Sequence, residues 1–330
     1  MEIIYEIGIE ITLFIQGLGE GLIPVMSFFT YLGVEEFYIF LAPALYWCVN
    51  SSLGLRVGLL LMVSIGINNV LKIAIHSPRP YWIDDRVTAY LPETSFGIPS
   101  GHAQNSVVFW GTIALWAKRT WYWVLSIGVI FLIGFSRIYL GLHFFHDVLL
   151  GWLIGVLILT LYLWLEKPLL TWLKKIGSIK QTVAAFLFSL TIILLASLAI
   201  FLLGDWELPQ DWITTAAAAA PTTPIDPLAL EGVITSMGAF FGFSVGAVLL
   251  NTRGGFDAGG NIWKRAVRFI IGLIGLVILY FGLSLIFPGG KNIIAYTFRY
   301  IRYAAIGLWV TGLAPVIFIK LNLADPLKKL

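Results

Sequence analysis

The chain predicts an all-α fold, a polytopic transmembrane bundle of about nine spans. Three observations predict it. Of 330 residues, 59% are hydrophobic and only 12% are charged, with a mean hydropathy of +0.90, far from the balance of a soluble domain. The apolar residues fall in runs of about 17 to 24, long enough as helices to cross a hydrocarbon core of roughly 30 Å. The basic residues gather in alternate connections between those runs, as cytoplasmic loops retain them.

Taken in order, the spans are 36–50, 55–72, 101–117, 121–140, 144–165, 182–203, 232–251, 267–287 and 298–319. Residues 7–33 are apolar too, but Glu10, Glu20 and several glycines interrupt them and Pro24 introduces a kink, so this stretch is expected to lie in the interface or re-enter. With Lys118 and Arg119 on the cytoplasmic side, strict alternation puts Arg56, the 167–180 connection, 253–268 and the 320–329 tail there as well. That side then holds 14 of the 21 lysines and arginines. The opposite side receives a loop at 205–231 with five acidic residues and no lysine or arginine. The expected organisation is residues 1–166 as the core with its N-terminal segment, 167–181 as a basic cytoplasmic connection, and 182–330 as a C-terminal helical extension. The C-terminus is expected to be cytoplasmic.

Composition excludes several classes. A net charge of +3, carried in short connections, offers no nucleic-acid surface. The single cysteine, Cys48, forms no intramolecular disulfide, and no Cys/His spacing suits structural zinc. The opening Met1-Glu2-Ile3-Ile4-Tyr5-Glu6 lacks the basic start of a cleaved signal peptide. The glycine-rich 254–260 loop lacks the lysine of a phosphate-cradling loop and reads as a turn.

Three segments put ionisable residues where an apolar bundle tolerates them only with a partner or a function. The first carries Lys72 and, seven residues on, Arg79-Pro80; the second is Pro99-Ser100-Gly101-His102; the third runs from Ser136-Arg137 through His143 to Asp147. Alternation brings all three to the extracytoplasmic end. Lys72, Arg79 and Arg137 in one pocket suit a compact multivalent anion, since guanidinium forks pair with phosphate oxygens and the ammonium adds a point charge. Ser100 and Gly101 open a helix, whose N-terminus favours anions. His143 and Asp147 stand four apart, so a helix begun by His143 sets the carboxylate against one ring nitrogen and aims the other at phosphorus. His102, from another helix, is positioned to protonate the leaving oxygen and later deprotonate water.

In spacing and order these segments resemble the three signature motifs of the type 2 phosphatidic acid phosphatase superfamily, over residues 34–165. The resemblance implies a six-helix-type phosphatase core, extended here by the C-terminal helices, and metal-independent phosphoryl transfer without a cofactor. It implies His143 as nucleophile, His102 as acid and base, and Lys72, Arg79, Ser100, Gly101 and Arg137 as phosphate contacts, with Asp147 as partner of His143. Arg79-Pro80-Tyr81-Trp82 and the span count also look like the glucose-6-phosphatase branch.

The expected substrate is a lipid phosphate or diphosphate of polyprenyl diphosphate (undecaprenyl diphosphate) or phosphatidate type, cleaved through a phosphohistidine at the extracytoplasmic or lumenal face of a cell membrane, with membrane lipid as the partner. The alternatives are a soluble phosphomonoester such as glucose 6-phosphate, transfer to an acceptor other than water, or, outside enzymes, a transporter or lipid-binding scaffold. His76 and His146 fit no required spacing and read as structural. Arg299 and Arg302 read as interfacial anchors, and Gly238, Gly242 and Gly246 as a close-packing helix face.

Overall fold

The computed structural model describes residues 2–327, and among these the regular elements are helices, with no strand. Lys328 and Lys329 of the basic tail lie outside the described residues. Seven helices are long and apolar enough to cross a membrane, or up to eight when one bent pair is taken as a span. The helices are α1 (Glu2–Gln16), α2 (Ile23–Tyr31), α3 (Glu35–Ala44), α4 (Ser51–Ile75), α5 (Pro80–Ile83), α6 (Gly101–Ala117) and α7 (Thr120–Tyr139). They continue with α8 (Phe145–Lys175), α9 (Ser178–Leu203), α10 (Gln210–Ala219), α11 (Glu231–Thr252), α12 (Ile262–Ile286), α13 (Ile293–Leu308) and α14 (Ala314–Lys320).

The count of nine is not reached, for physical reasons at two places. The 36–50 stretch is interrupted because α3 carries Pro43 and passes into a π turn, Leu45–Val49, that stops at an extended Asn50. α6, with 17 residues, stands at the lower limit of length for a span. The bent pair is 3–31, where the helices meet at 83° across the Gly17–Gly19 break, the shape of a broken span or of a re-entrant loop.

The chain divides into two compact units. One contains the segment ending at Phe37, Ile67–Thr160 and Leu195–Ala229; the other contains Tyr38–Gly66, Leu161–Leu194 and the chain from Leu230 onward. In the first unit, Ile9, Met26, Trp82, Phe96, Leu142 and Phe144 form an apolar core on which α10 and its flanking loops also pack. Glycines on α8 let it approach α6: a Cβ at Gly151 would stand 2.6 Å from the Ser100 carbonyl, and one at Gly155 would stand 2.8 Å from that of Gln104. The second unit is built on Trp47, Phe243, Phe256 and Phe318. There Gly238, Gly242 and Gly246 of α11 face the backbone of α13 and the turn after it, the close packing their spacing predicts. Arg268 donates to the carbonyls of Asp257, Ala258 and Gly259, so the glycine-rich loop is a turn pinned by a buried guanidinium.

Candidate active site

The site belongs wholly to the first unit and forms at one end of four helices that run alternately up and down. Lys72 lies in the last turn of α4, Ser100 caps the start of α6, Arg137 lies in the last turn of α7, and Asp147 lies in the first turn of α8. Alternation therefore brings ends together that are far apart in sequence.

Arg79 is fully buried at the N-cap of α5 and organises the pocket. Its Nε donates to the Ser95 carbonyl at 2.6 Å and its Nη1 to the Leu142 carbonyl at 2.8 Å. Nη2 meets Glu93 Oε2 at 2.7 Å, Ser95 Oγ at 3.1 Å and the Phe96 carbonyl at 3.2 Å. Lys72 Nζ reaches the same Ser95 hydroxyl at 2.8 Å. Arg137, also buried, donates to Thr30 Oγ1 at 2.6 Å from one arm and to Glu93 Oε1 from the other. The three cations predicted from sequence thus converge on one segment, 93–96.

His143 sits in the turn between α7 and α8 with no solvent exposure. Its Nδ1 lies 3.2 Å from Asp147 Oδ2, and its Nε2 lies 3.2 Å from Arg79 Nη1. A guanidinium only donates, so Nε2 must be the accepting nitrogen and Nδ1 must carry the proton toward Asp147. Burial, reinforced by Arg79 and Arg137, holds the imidazole well below its ordinary pKa and keeps it neutral. The helix begins at Phe145 rather than at His143; the pair closes because Asp147 Oδ2 also accepts the Phe144 N–H at 3.0 Å, as a cap of the helix start.

His102, in the first turn of α6, has its Nδ1 3.8 Å from Glu93 Oε1, while its buried Nε2 has no hydrogen-bond partner. A Cβ at Gly33 would stand 2.9 Å from this ring, so only glycine lets α6 seat it so closely. Ser100 accepts the Ala103 N–H at its side chain, and its own N–H donates to the Asp147 carbonyl at 3.0 Å, tying α6 to α8. Gly101 packs with its Cα side toward Asn68, which also donates to the Pro99 carbonyl.

Of the two histidines read as structural, His146 stacks on Phe144 at 5.1 Å, and its Nε2 lies 3.3 Å from Asp147 Oδ1 without hydrogen-bond geometry. His76 meets Trp206 edge-on at 5.1 Å. Glu93 is the residue that sequence reasoning missed. The signal was a charge imbalance: three cations and two histidines against the single carboxylate of Asp147 leave a pocket that lacks a counter-anion when empty. Desolvation pushes the Glu93 carboxyl up, but Arg137 and Arg79, with His102 and Lys72 behind them, outweigh it and hold it well below the usual carboxylate range. Among the described residues no group of three or more His, Cys, Asp or Glu is placed to hold a metal ion.

Segment 204–229 packs behind the 93–96 wall of this pocket. Trp206 lies 6.0 Å from Phe96, Trp212 lies 6.2 Å from Trp82, and the Asp226 N–H donates to the Thr94 carbonyl at 3.0 Å.

Residues 53–171 match the family model described as the PAP2 superfamily, and residues 234–326 match the PAP2 superfamily phosphatase transmembrane extension. The chain is 29% identical over 206 residues to Lipid phosphate phosphatase delta of Arabidopsis thaliana, covering 57% of this chain and 48% of the relative. It is 23% identical over 356 residues to Glucose-6-phosphatase 2 of Homo sapiens, covering 96% of each. The chain thus spans about half the length of the plant relative and nearly all of the human one. Among solved structures it is similar to a transmembrane PAP2 type phosphatidylglycerolphosphate phosphatase from Bacillus subtilis, with 25% identity and a TM-score of 0.41, over 48% of this chain and 86% of that one.

Proposed function

Since the chain belongs to the PAP2 superfamily and is a multi-pass membrane phosphatase, we propose that it hydrolyses a lipid phosphate or diphosphate through a phosphohistidine on His143. The observation that carries this reading is the geometry around His143: Asp147 stands where it accepts the Nδ1–H hydrogen bond, and Nε2 faces the arginine that would hold phosphate, which assigns the proton to Nδ1 and the lone pair to Nε2. In the reaction, Arg79, Arg137 and Lys72 bond the nonbridging oxygens, and Nε2 attacks phosphorus opposite the leaving oxygen. As the P–O bond breaks, His102 gives that oxygen a proton, while Asp147 stabilises the positive charge left on His143. His102, now neutral, removes a proton from water; the hydroxide attacks phosphorus, and the P–N bond breaks to release phosphate and restore neutral His143. Ser100 and Gly101 serve the seat by fixing the start of α6 beside Asp147.

Charge bias supports an extracytoplasmic site and a cytoplasmic C-terminus, and a site at the membrane surface lets a headgroup enter while its chain stays in the bilayer. A second reading, a soluble ester such as glucose 6-phosphate, is favoured by the end-to-end similarity to Glucose-6-phosphatase 2. Phosphate release by the purified protein, with and without a chelator, from polyprenyl diphosphate, phosphatidate, a sphingoid phosphate and glucose 6-phosphate distinguishes them. Preferential, chelator-resistant release from the lipids supports the first reading. Preference for glucose 6-phosphate transfers the proposal to the second, and release abolished by chelation contradicts both.

A further inference from the structure

We propose that Glu93 is the resident counter-anion of the phosphate seat, which the phosphate of the substrate must displace, and that the displaced carboxylate then orients His102. The inference rests on the reading of Arg79 and Arg137 as phosphate ligands. Two buried guanidiniums cannot stand unpaired in an apolar bundle, and among the described residues the carboxylate bonded to both is Glu93, one oxygen to each. That is the bidentate arrangement two phosphate oxygens would take. Exposure ranks the groups in the same sense. The side chains of His143, Asp147 and Arg79 are fully buried, Arg137 is 2% exposed, and His102 at 16% and Glu93 at 28% are the most exposed of these ion-paired groups. His143 has no solvent access and its Nε2 faces Arg79, which Glu93 holds, so an incoming phosphate must draw Arg79 from Glu93 before phosphorus can reach Nε2.

The destination follows from what lies nearby. His102 Nδ1, 3.8 Å from Oε1, is close enough to become the partner once the guanidiniums turn to phosphate, and among the described residues no other carboxylate forms an ion pair within 4.0 Å of that ring's nitrogens. His143 has Asp147 to hold its ring; His102 acquires its own holder only when the seat fills. One carboxylate thereby balances charge in the empty state and positions the acid in the filled state. The segment that carries it is braced from behind by the Asp226 N–H bond to Thr94 and by Trp206 against Phe96, so the displacement is a side-chain movement on a held backbone.

Displacement taxes affinity, since an anion binds only the fraction of molecules with the seat open. Tungstate, an inert tetrahedral oxyanion, is therefore expected to bind Glu93→Gln at least ~10-fold tighter than wild type. Glu93→Asp keeps the charge for folding but is too short to span both guanidiniums, and is expected to bind tungstate with intermediate affinity; it decides the matter if the glutamine variant does not fold. With p-nitrophenyl phosphate, Glu93→Gln is expected to lower KM and, having lost the holder of His102, to lower kcat by roughly 10-fold. Tungstate bound by wild type and no more tightly by either variant overturns the role of Glu93 alone. Tighter tungstate with unchanged kcat contradicts the hand-off to His102. Tungstate bound by none of the three proteins contradicts the phosphate seat itself, and the proposal falls with it.

Discussion

His143 can attack phosphorus only as a neutral ring with Nε2 bare, and two neighbours impose that state: Asp147 at 3.2 Å from Nδ1 and Arg79 at 3.2 Å from Nε2. Asp147→Asn offers the ring an amide that can donate as well as accept, which permits the wrong tautomer. It is expected to reduce kcat by roughly 10²- to 10⁴-fold, as loss of the tautomer-fixing carboxylate does in histidine-based catalysis. Loss of less than threefold in steady-state turnover would mean that Asp147 serves only as a helix cap. The pH profile follows from the same environment. Burial and the two arginines depress the His143 pKa, so the ring stays unprotonated as pH falls through the ordinary imidazole value of about 6.5. The acidic limb of kcat/KM is therefore expected to have its midpoint below about pH 6.5; a midpoint above it, measured on wild type, would mean that His143 is not depressed when the enzyme is free.

Helix contacts set how closely the two histidines and their partners can gather. Gly151 keeps α8 against the start of α6, where a Cβ would stand 2.6 Å from the Ser100 carbonyl and 3.1 Å from the Ala103 side chain. Gly151→Val is expected to cost about 1–3 kcal/mol by overpacking and, by moving Asp147 from Ser100, to lower kcat more than it raises KM. Thermal unfolding in detergent and steady-state kinetics read the two effects; unchanged kcat would separate this contact from the site. At the outer wall, Trp206→Ala with Trp212→Ala removes the aromatic packing behind Phe96 and Trp82 and is expected to change the ratio of kcat/KM between phosphatidate and glucose 6-phosphate. An unchanged ratio would reject a role of this segment in substrate choice. Much of this was legible in the sequence. Lys72, Arg79, Arg137, His143 and Asp147 announce themselves because each is a charge or polar ring within or beside an apolar helix, where only a partner makes it tolerable. The charge imbalance calls for a counter-anion, but it does not single out Glu93, since a carboxylate in a polar loop is ordinarily a solvated one; only its three-dimensional place between two buried arginines identifies it. The interruption of 36–50 at Asn50 was similarly hidden, because hydropathy does not register a π turn.

Across the whole molecule, the bias of basic residues to alternate connections predicts that the 205–231 loop and the site lie outside and that the 167–180 connection lies inside. In intact cells, an impermeant maleimide is expected to label Asp211→Cys and not Lys174→Cys, each in a Cys48→Ser background; the reverse pattern would invert the topology. Of the two family matches, at 53–171 and 234–326, the first contains every residue proposed to act on phosphate. The central claim is a covalent intermediate on one nitrogen, and it is tested most directly by rapid quenching of enzyme turning over a ³²P-labelled ester into alkaline detergent, where a phosphorus–nitrogen bond survives. Wild type should carry label that is stable to alkali and released by acid, His102→Ala should retain it with a good leaving group, and His143→Ala should carry none. Undiminished acid-labile label on His143→Ala would contradict the assignment.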